Sequence, residues 1–171
     1  MILLFRVGAR PRQLRRYVGM GTSFVEIGGR GFWMQDSILE LWLRLLALHV
    51  EDPSDDSPLT RRIRDSWLLA SRGYFGGCVP DDLEEFVSTP EGRAIVMRAI
   101  DSLKITLAKG PELLDHHTLN LLGFAEGVRR VSGFESARLI QVADAFVDLI
   151  EGRINCDATS TAFMPGSHVA T

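Results

Sequence analysis

The feature that most constrains the fold of this chain is an apolar run over residues 38–50, ILELWLRLLALHV. Its only charges are Glu40 and Arg44, and its 13 residues fall short of the about 20 that a membrane-spanning helix needs. At about 100° per residue, both charges fall on one narrow stripe, and apolar residues cover more than half of the helix circumference. This pattern is typical of a central core helix, with a partly exposed docking face as the alternative.

Short signals place further elements before this helix. Ser37 and Glu40 match a capping box, in which side chains satisfy the free N–H groups of a helix start, so they predict a start near residue 37. Upstream, the segment FVEIGGRGFWM alternates apolar and polar residues and turns through the glycines of residues 28–31. That segment predicts a β-hairpin over about residues 24–34.

Apolar residues recur at helical spacing in three later segments, which we interpret as the buried faces of helices. Start signals precede them: Pro58, then Thr89 with Pro90, then Ser132 with Glu135. The residues of the three faces are Leu59, Ile63, Trp67, Ala70 and Tyr74; Val96, Ile100, Leu103 and Leu107; and Leu139, Ala143, Phe146 and Ile150.

Two short helices complete the prediction, one opened by Asp81 with Glu84 and one within residues 111–123. We therefore expect a mainly α fold. It would be a single compact, bundle-like domain of five or six helices around a central apolar helix at about 37–51, with the short hairpin near its N-terminus. The domain would cover residues 20–153. The tail over residues 154–171 has no periodicity, so we expect it to be disordered.

Residues 1–19 differ from the rest of the chain in charge, because they contain five arginines and no acidic residue. A secretory signal places its positive charges before its apolar stretch, whereas here they follow it. An organelle transit peptide fits this composition better. We favour the interpretation that translation starts at Met20, so that the basic extension is not part of the native domain.

Without that extension, 14 basic residues face 22 acidic ones, which gives a net charge of −8. This balance disfavours nucleic acid as a ligand and favours a basic protein partner, because complementary charge speeds association. Seven acidic residues from two segments would form one surface if those segments are neighbours. Their ordinary interpretation is a solvated loop and a negatively charged helix start. These candidate binding residues are Asp52, Asp55, Asp56, Asp81, Asp82, Glu84 and Glu85.

The most enzyme-like segment is GYFGGCVPDD, in which Cys78 follows two glycines. A thiolate beside free backbone N–H groups suits acyl transfer, and His116 or His117 would act as the base, oriented by Asp115. The commoner role of such a cysteine is a small apolar side chain packed in a turn. These residues and His49 lack the spacing of a zinc site, so we predict neither metal nor cofactor.

Two classes of function agree with these observations. The favoured one is a small acidic, non-enzymatic protein-binding module, such as a bacterial immunity or antitoxin protein that neutralises a toxin domain. The alternative is a thiol-dependent enzyme of acyl transfer or hydrolysis that uses Cys78 with His116 or His117. Two cysteines do not form a disulfide framework, so we expect a cytoplasmic protein. From the short apolar run and the acidic charge we further expect that it binds neither membrane nor nucleic acid.

Overall fold

The computed structural model describes residues 21–50, 57–73, 78–122, 130 and 132–167 of the chain. Over these ranges the protein is mainly α-helical with a short N-terminal antiparallel hairpin, as the sequence predicted. The helices are α1 (Asp36–His49), α2 (Pro58–Ala70), α3 (Leu83–Val87), α4 (Pro90–Lys109), α5 (His116–Leu121) and α6 (Ser136–Ile150). The hairpin strands are β1 (Thr22–Ile27) and β2 (Arg30–Gln35), and a second pair consists of β3 (Leu113–Leu114) and β4 (Phe134–Glu135).

Glycines fix the geometry of the hairpin. Gly28 and Gly29 form its two-residue turn with φ angles of 62° and 76°, the left-handed conformation that such a turn requires. Gly31 is needed for another reason, because a Cβ at this position would lie 1.8 Å from the carbonyl oxygen of Val25 on the facing strand. The predicted hairpin is confirmed.

Helix α1 is buried around most of its circumference and packs against α2, α4 and the hairpin. Among its large apolar side chains only Leu48 is well exposed, at 53%. Burying a leucine side chain completely, such as that of Leu41 or Leu46, contributes about 1.5–3 kcal/mol relative to leaving it in water. These contacts are therefore a major source of the stability of the domain.

Two of the predicted helix starts are confirmed by their capping bonds. Ser57 precedes Pro58 and accepts a hydrogen bond from the N–H of Thr60 at 3.1 Å. Thr89 accepts one from the N–H of Gly92, also at 3.1 Å. Each bond satisfies an N–H group that the helix itself leaves free.

Helix α1 begins within one residue of the predicted start, but the predicted capping bonds are wrong. The side chains of Ser37 and Glu40 do not form a capping box, because the helix begins at Asp36 and Glu40 is only 4% exposed. The N–H of Asp36 donates to the carbonyl oxygen of Gly21 at 2.9 Å, and its carboxylate accepts from the Ser23 hydroxyl at 2.7 Å. Contacts around β1 therefore fix this helix start.

The predicted start of the last helix is also wrong. Ser132 does not open a helix with Glu135, because Glu135 lies in β4 and α6 begins at Ser136. The N–H of Ser136 donates to the carbonyl oxygen of Glu112 at 2.8 Å. The short helix predicted within residues 111–123 is present as α5, and β3 precedes it.

Aromatic side chains join the hairpin, α1 and α6. The ring of Phe146 lies 5.6 Å from that of Phe32 and 5.3 Å from that of Trp42, in edge-on and tilted arrangements that aromatic pairs favour. Phe163 of the C-terminal tail adds a third edge-on contact, 5.9 Å from Phe32.

The C-terminal tail lies against the domain over residues 154–167, where the sequence led us to expect disorder. The N–H of Gly31 donates to the carbonyl oxygen of Cys156 at 2.8 Å, and the indole of Trp33 donates to that of Ala158 at 2.9 Å. These bonds attach the tail to β2. Hydrogen bonds to the main chain of the tail hold it in place, and bonds of this kind do not require a helical pattern in the sequence. The absence of such a pattern therefore did not show that the tail is disordered.

Several predicted features lie outside the described residues: the basic extension over residues 1–19, the acidic loop over 51–56, Tyr74, and residues 168–171. Among the helices that are described, none combines the length and the hydropathy needed to cross a bilayer.

Candidate functional site

Acidic residues from two parts of the chain gather around α3. The predicted cluster lies in this helix and just before it, and the structure adds Glu26 of β1, whose charge acts on Asp81. We call these residues the acidic face: Glu26, Asp81, Asp82, Glu84 and Glu85. The other predicted binding residues, Asp52, Asp55 and Asp56, lie outside the described residues.

Strand β1 and the segment leading into α3 run side by side, and this arrangement positions the acidic face. Near the start of β1, the Ser23 hydroxyl accepts from the N–H of Val79 at 2.7 Å. Beyond its end, the N–H of Gly28 donates to Glu84 Oε1 at 2.9 Å. Glu26 lies between these two contacts, which brings it beside the acidic residues of the facing segment.

Helix α2 holds two more carboxylates of the acidic face. Asp82 accepts from the Ser66 hydroxyl at 2.6 Å, and Glu85 pairs with the guanidinium of Arg62. Both acids are exposed. A carboxylate offers about four lone-pair sites, so one internal bond leaves further acceptors for a partner. The acidic face is therefore an array of exposed acceptors, some of which are held by bonds within the protein.

Asp81 shows how closely the charges are spaced. Its pKa is raised to about 6, mainly by burial and in part by the charges of Asp82 and Glu26, while the hydrogen bond from the N–H of Leu83 opposes the rise. A cation placed beside this face would offset the repulsion and lower the pKa of Asp81. The electrostatics of the face thus favour a positively charged ligand.

The residues of the thiol-enzyme hypothesis lie in separate parts of the fold. Cys78 is exposed and precedes the segment beside β1, whereas His116 and His117 form the first turn of α5 with ring centroids 4.0 Å apart. Asp115 caps α5, accepting from the N–H groups of His117 at 2.8 Å and Thr118 at 3.1 Å. Over the described residues, no hydrogen bond joins Cys78 to either histidine.

His49 occupies the last turn of α1. Its Nδ1 lies 2.9 Å from the carbonyl oxygen of Leu45, and its Nε2 lies 3.2 Å from the hydroxyl of Thr106 on α4. The ring therefore bonds a carbonyl of its own helix and links two helices. Within the part of the chain that the structure describes, no three His, Cys, Asp or Glu side chains are grouped to hold a metal ion.

Glu40 is an unusual acid that its sequence pattern does not identify, since the helical periodicity places it on the narrow polar stripe of α1. Its Oε1 is buried and has no hydrogen-bond partner among the described residues. Its pKa is raised to about 7, mainly by burial and in part by the charge of Asp36, against the lowering effect of the Arg130 charge. The sequence contains one signal for the burial of Glu40. When apolar residues cover most of the circumference of a helix, protein surrounds the helix on nearly all sides, so the polar side chains of the narrow remaining stripe are buried too.

A mostly apolar, open pocket of about 610 Å³ lies between the end of α4, β3 and the start of α6. Leu107, Leu113 and Ile140 contribute apolar lining, and Glu112 and Glu135 also line it. Its size suits a small apolar group. No sequence motif predicts this pocket, because two stretches that are separated in the chain, residues 107–113 and 135–140, form it together.

Comparison of this chain with protein-family models, curated proteins and solved structures gives no match. Its function therefore has to be inferred from its own residues.

Proposed function

We propose that the protein is a small acidic, non-enzymatic binding module whose acidic face receives a basic protein. The observation that supports this most is the gathering of Glu26 with the four acids of residues 81–85 on one side of the fold. Internal bonds already hold several of these side chains. Ordering them on binding therefore loses little entropy, so the face is preorganised for cationic groups.

The charge of the remaining chain supports the same function. Apart from residues 1–19, the chain has a net charge of −8, which attracts a basic protein over a long range. Such attraction raises the association rate and disfavours acidic partners and nucleic acids.

An immunity or antitoxin protein that covers a basic toxin domain in the bacterial cytoplasm is the form of this function that we propose. In this proposal α1 is the central helix of a bundle-like domain, which gives the face a rigid support.

A triple substitution of the acidic face tests the proposal. Asp82→Asn, Glu84→Gln and Glu85→Gln remove three charges but keep an oxygen that accepts a hydrogen bond, so the bonds from Ser66 and Gly28 can persist. The control removes the same charge from exposed acids elsewhere, with the substitutions Glu91→Gln, Asp101→Asn and Glu151→Gln.

The partner would first be captured with tagged protein beginning at Met20 from the native host and then purified for calorimetric titration. We expect the face variant to bind about tenfold more weakly or worse, because lost interfacial charge pairs cost about 1 kcal/mol or more, and the control to stay within about twofold. Equal affinity of the two variants would contradict the proposal, as would the absence of a stoichiometric basic partner.

A further inference from the structure

Bonds between its two stretches fix the walls of the pocket of about 610 Å³ beside β3. The N–H of Ser136 donates to the carbonyl oxygen of Glu112 at 2.8 Å, and the Ser136 hydroxyl donates to that of Pro111 at 2.6 Å. About one helical turn from the pocket, Lys104 of α4 pairs with Asp144 of α6 at 2.6 Å. The pocket is therefore preformed, and its volume lies within the range of about 300–1,000 Å³ that is usual for small-molecule sites.

The pocket offers apolar surface that a ligand can cover. Leu107 is buried and Ile140 is half-buried, whereas Leu113 is 54% exposed. A Cβ at Gly133 would lie 3.0 Å from Cδ1 of Leu113, so the glycine leaves the room that this leucine occupies beside the pocket. Covering these side chains removes apolar surface from water, which favours a ligand with an apolar chain or ring.

The charged side chains of the lining are two carboxylates, those of Glu112 and Glu135. Both residues are exposed, so an incoming group can reach them. The N–H and the hydroxyl of Ser136 already donate within the protein, so its side chain offers an incoming group only an acceptor. The polar part of the lining thus suits a cationic donor, because hydrogen bonds from a cation to a carboxylate are stronger than neutral ones.

Two basic residues lie close to the lining without belonging to it. The charge of Arg138 interacts with that of Glu135, but its guanidinium lies 4.2 Å from the centroid of the Phe134 ring and its Nε donates to the carbonyl oxygen of Gly166 at 2.6 Å. Lys109, in the last turn of α4, is exposed. The dipoles of α4 and α6 partly cancel here, because one helix ends and the other begins at the pocket. A bound ligand therefore contacts the carboxylates and not the basic groups.

We propose that this pocket binds a small amphiphilic cation, that is, an apolar chain or ring that carries an ammonium group. The apolar part covers Leu107, Leu113 and Ile140, and the ammonium group donates to Glu112 and Glu135. An anion with the same apolar part is rejected, because it would meet two like charges. The lining comes from residues 107–113 and 135–140, apart from the acidic face in the chain, so this ligand is distinct from the basic protein proposed above.

Titrations of the full chain with three probes, followed by amide chemical shifts, test this site. Octylammonium has the chain and the charge, octanoate has a similar chain with the opposite charge, and methylammonium has the charge without the chain. We expect octylammonium to shift amides of residues 107–113 and 135–140 with a dissociation constant of about 1 mM or below, and the other probes to bind at least about tenfold more weakly. Equal binding of either other probe, or octylammonium shifts confined to the acidic face, would overturn the proposal.

A substitution that fills the pocket assigns the apolar contact. Ala137→Trp places a large ring at an exposed lining position on α6 and should weaken octylammonium binding by about tenfold or more. The matched control is Ala94→Trp, at an exposed position near the start of α4, which should bind within about twofold of the wild type. Unchanged amide shifts in α1 verify that both variants fold. The same affinity for Ala137→Trp as for its control would place the probe elsewhere and contradict the proposal.

A double substitution assigns the ammonium contact. Glu112→Gln with Glu135→Gln should weaken octylammonium binding by about three- to tenfold, as expected for two exposed ion pairs, and should strengthen octanoate binding. Glu91→Gln with Glu151→Gln removes the same charge near the opposite ends of α4 and α6 and should change neither affinity. If both double variants bound the two probes like the wild type, charge would not select the ligand and the proposal would fail.

Discussion

At the scale of single residues, two acids have pKa values well above their ordinary range. Burial within the domain raises that of Glu40 to about 7, and burial together with the charges of Asp82 and Glu26 raises that of Asp81 to about 6. Both acids bind their proton more tightly in the folded state than in the unfolded chain. Their contribution to stability is therefore most favourable at low pH and declines as the pH rises from the unfolded to the folded pKa.

Glu40→Gln should raise the free energy of unfolding at pH 8 by about 2 kcal/mol, because the glutamine carries no buried charge. One pKa unit corresponds to about 1.4 kcal/mol, and the expected gain is smaller than the full shift because the buried glutamine amide also loses hydrogen bonds to water. Near pH 4.5 most of this gain should vanish, since the wild-type carboxyl is then protonated when folded. Urea denaturation at the two pH values measures the difference, and an equal gain at both would contradict this assignment.

At the scale of elements, the sequence predicted those helix starts that local bonds determine. The Ser57 and Thr89 caps each join residues three apart, so a short motif is sufficient to identify them. The starts of α1 and α6 instead depend on bonds to Gly21 and Glu112, and the latter lies 24 residues from its donor, Ser136. The Ser132–Glu135 motif therefore misplaced the start of α6, whereas the Ser37–Glu40 motif placed the start of α1 within one residue although its side-chain caps do not form.

Two alanine substitutions distinguish a real cap from an apparent one. Thr89→Ala should lower the free energy of unfolding by about 1 kcal/mol, because it removes the bond to the N–H of Gly92. Ser37→Ala should lower it by less than about 0.5 kcal/mol, because no side chain caps the start of α1. Urea denaturation of both variants gives these values, and equal losses would show that the assigned caps are wrong.

At the scale of the whole molecule, the sequence identified four acids of the acidic face but not the fifth. Those four are close in sequence, whereas Glu26 joins them because β1 lies along the segment leading into α3, more than 50 residues away in the chain. The attachment of the tail to β2 has the same origin, since Gly31 bonds Cys156. Contacts between segments that are far apart in the chain leave no pattern within either segment. The residue pattern of one segment therefore cannot predict such contacts.

The most direct measurement of the central claim, that the acidic face binds a basic protein, is the dependence of the dissociation constant on salt concentration. Titrations of the captured partner at several salt concentrations would compare wild type with the variant Asp82→Asn, Glu84→Gln, Glu85→Gln. We expect wild-type binding to weaken steeply with salt and the variant to show a clearly smaller slope, because fewer charge pairs are screened. The same slope in both proteins would show that the partner binds elsewhere on the molecule.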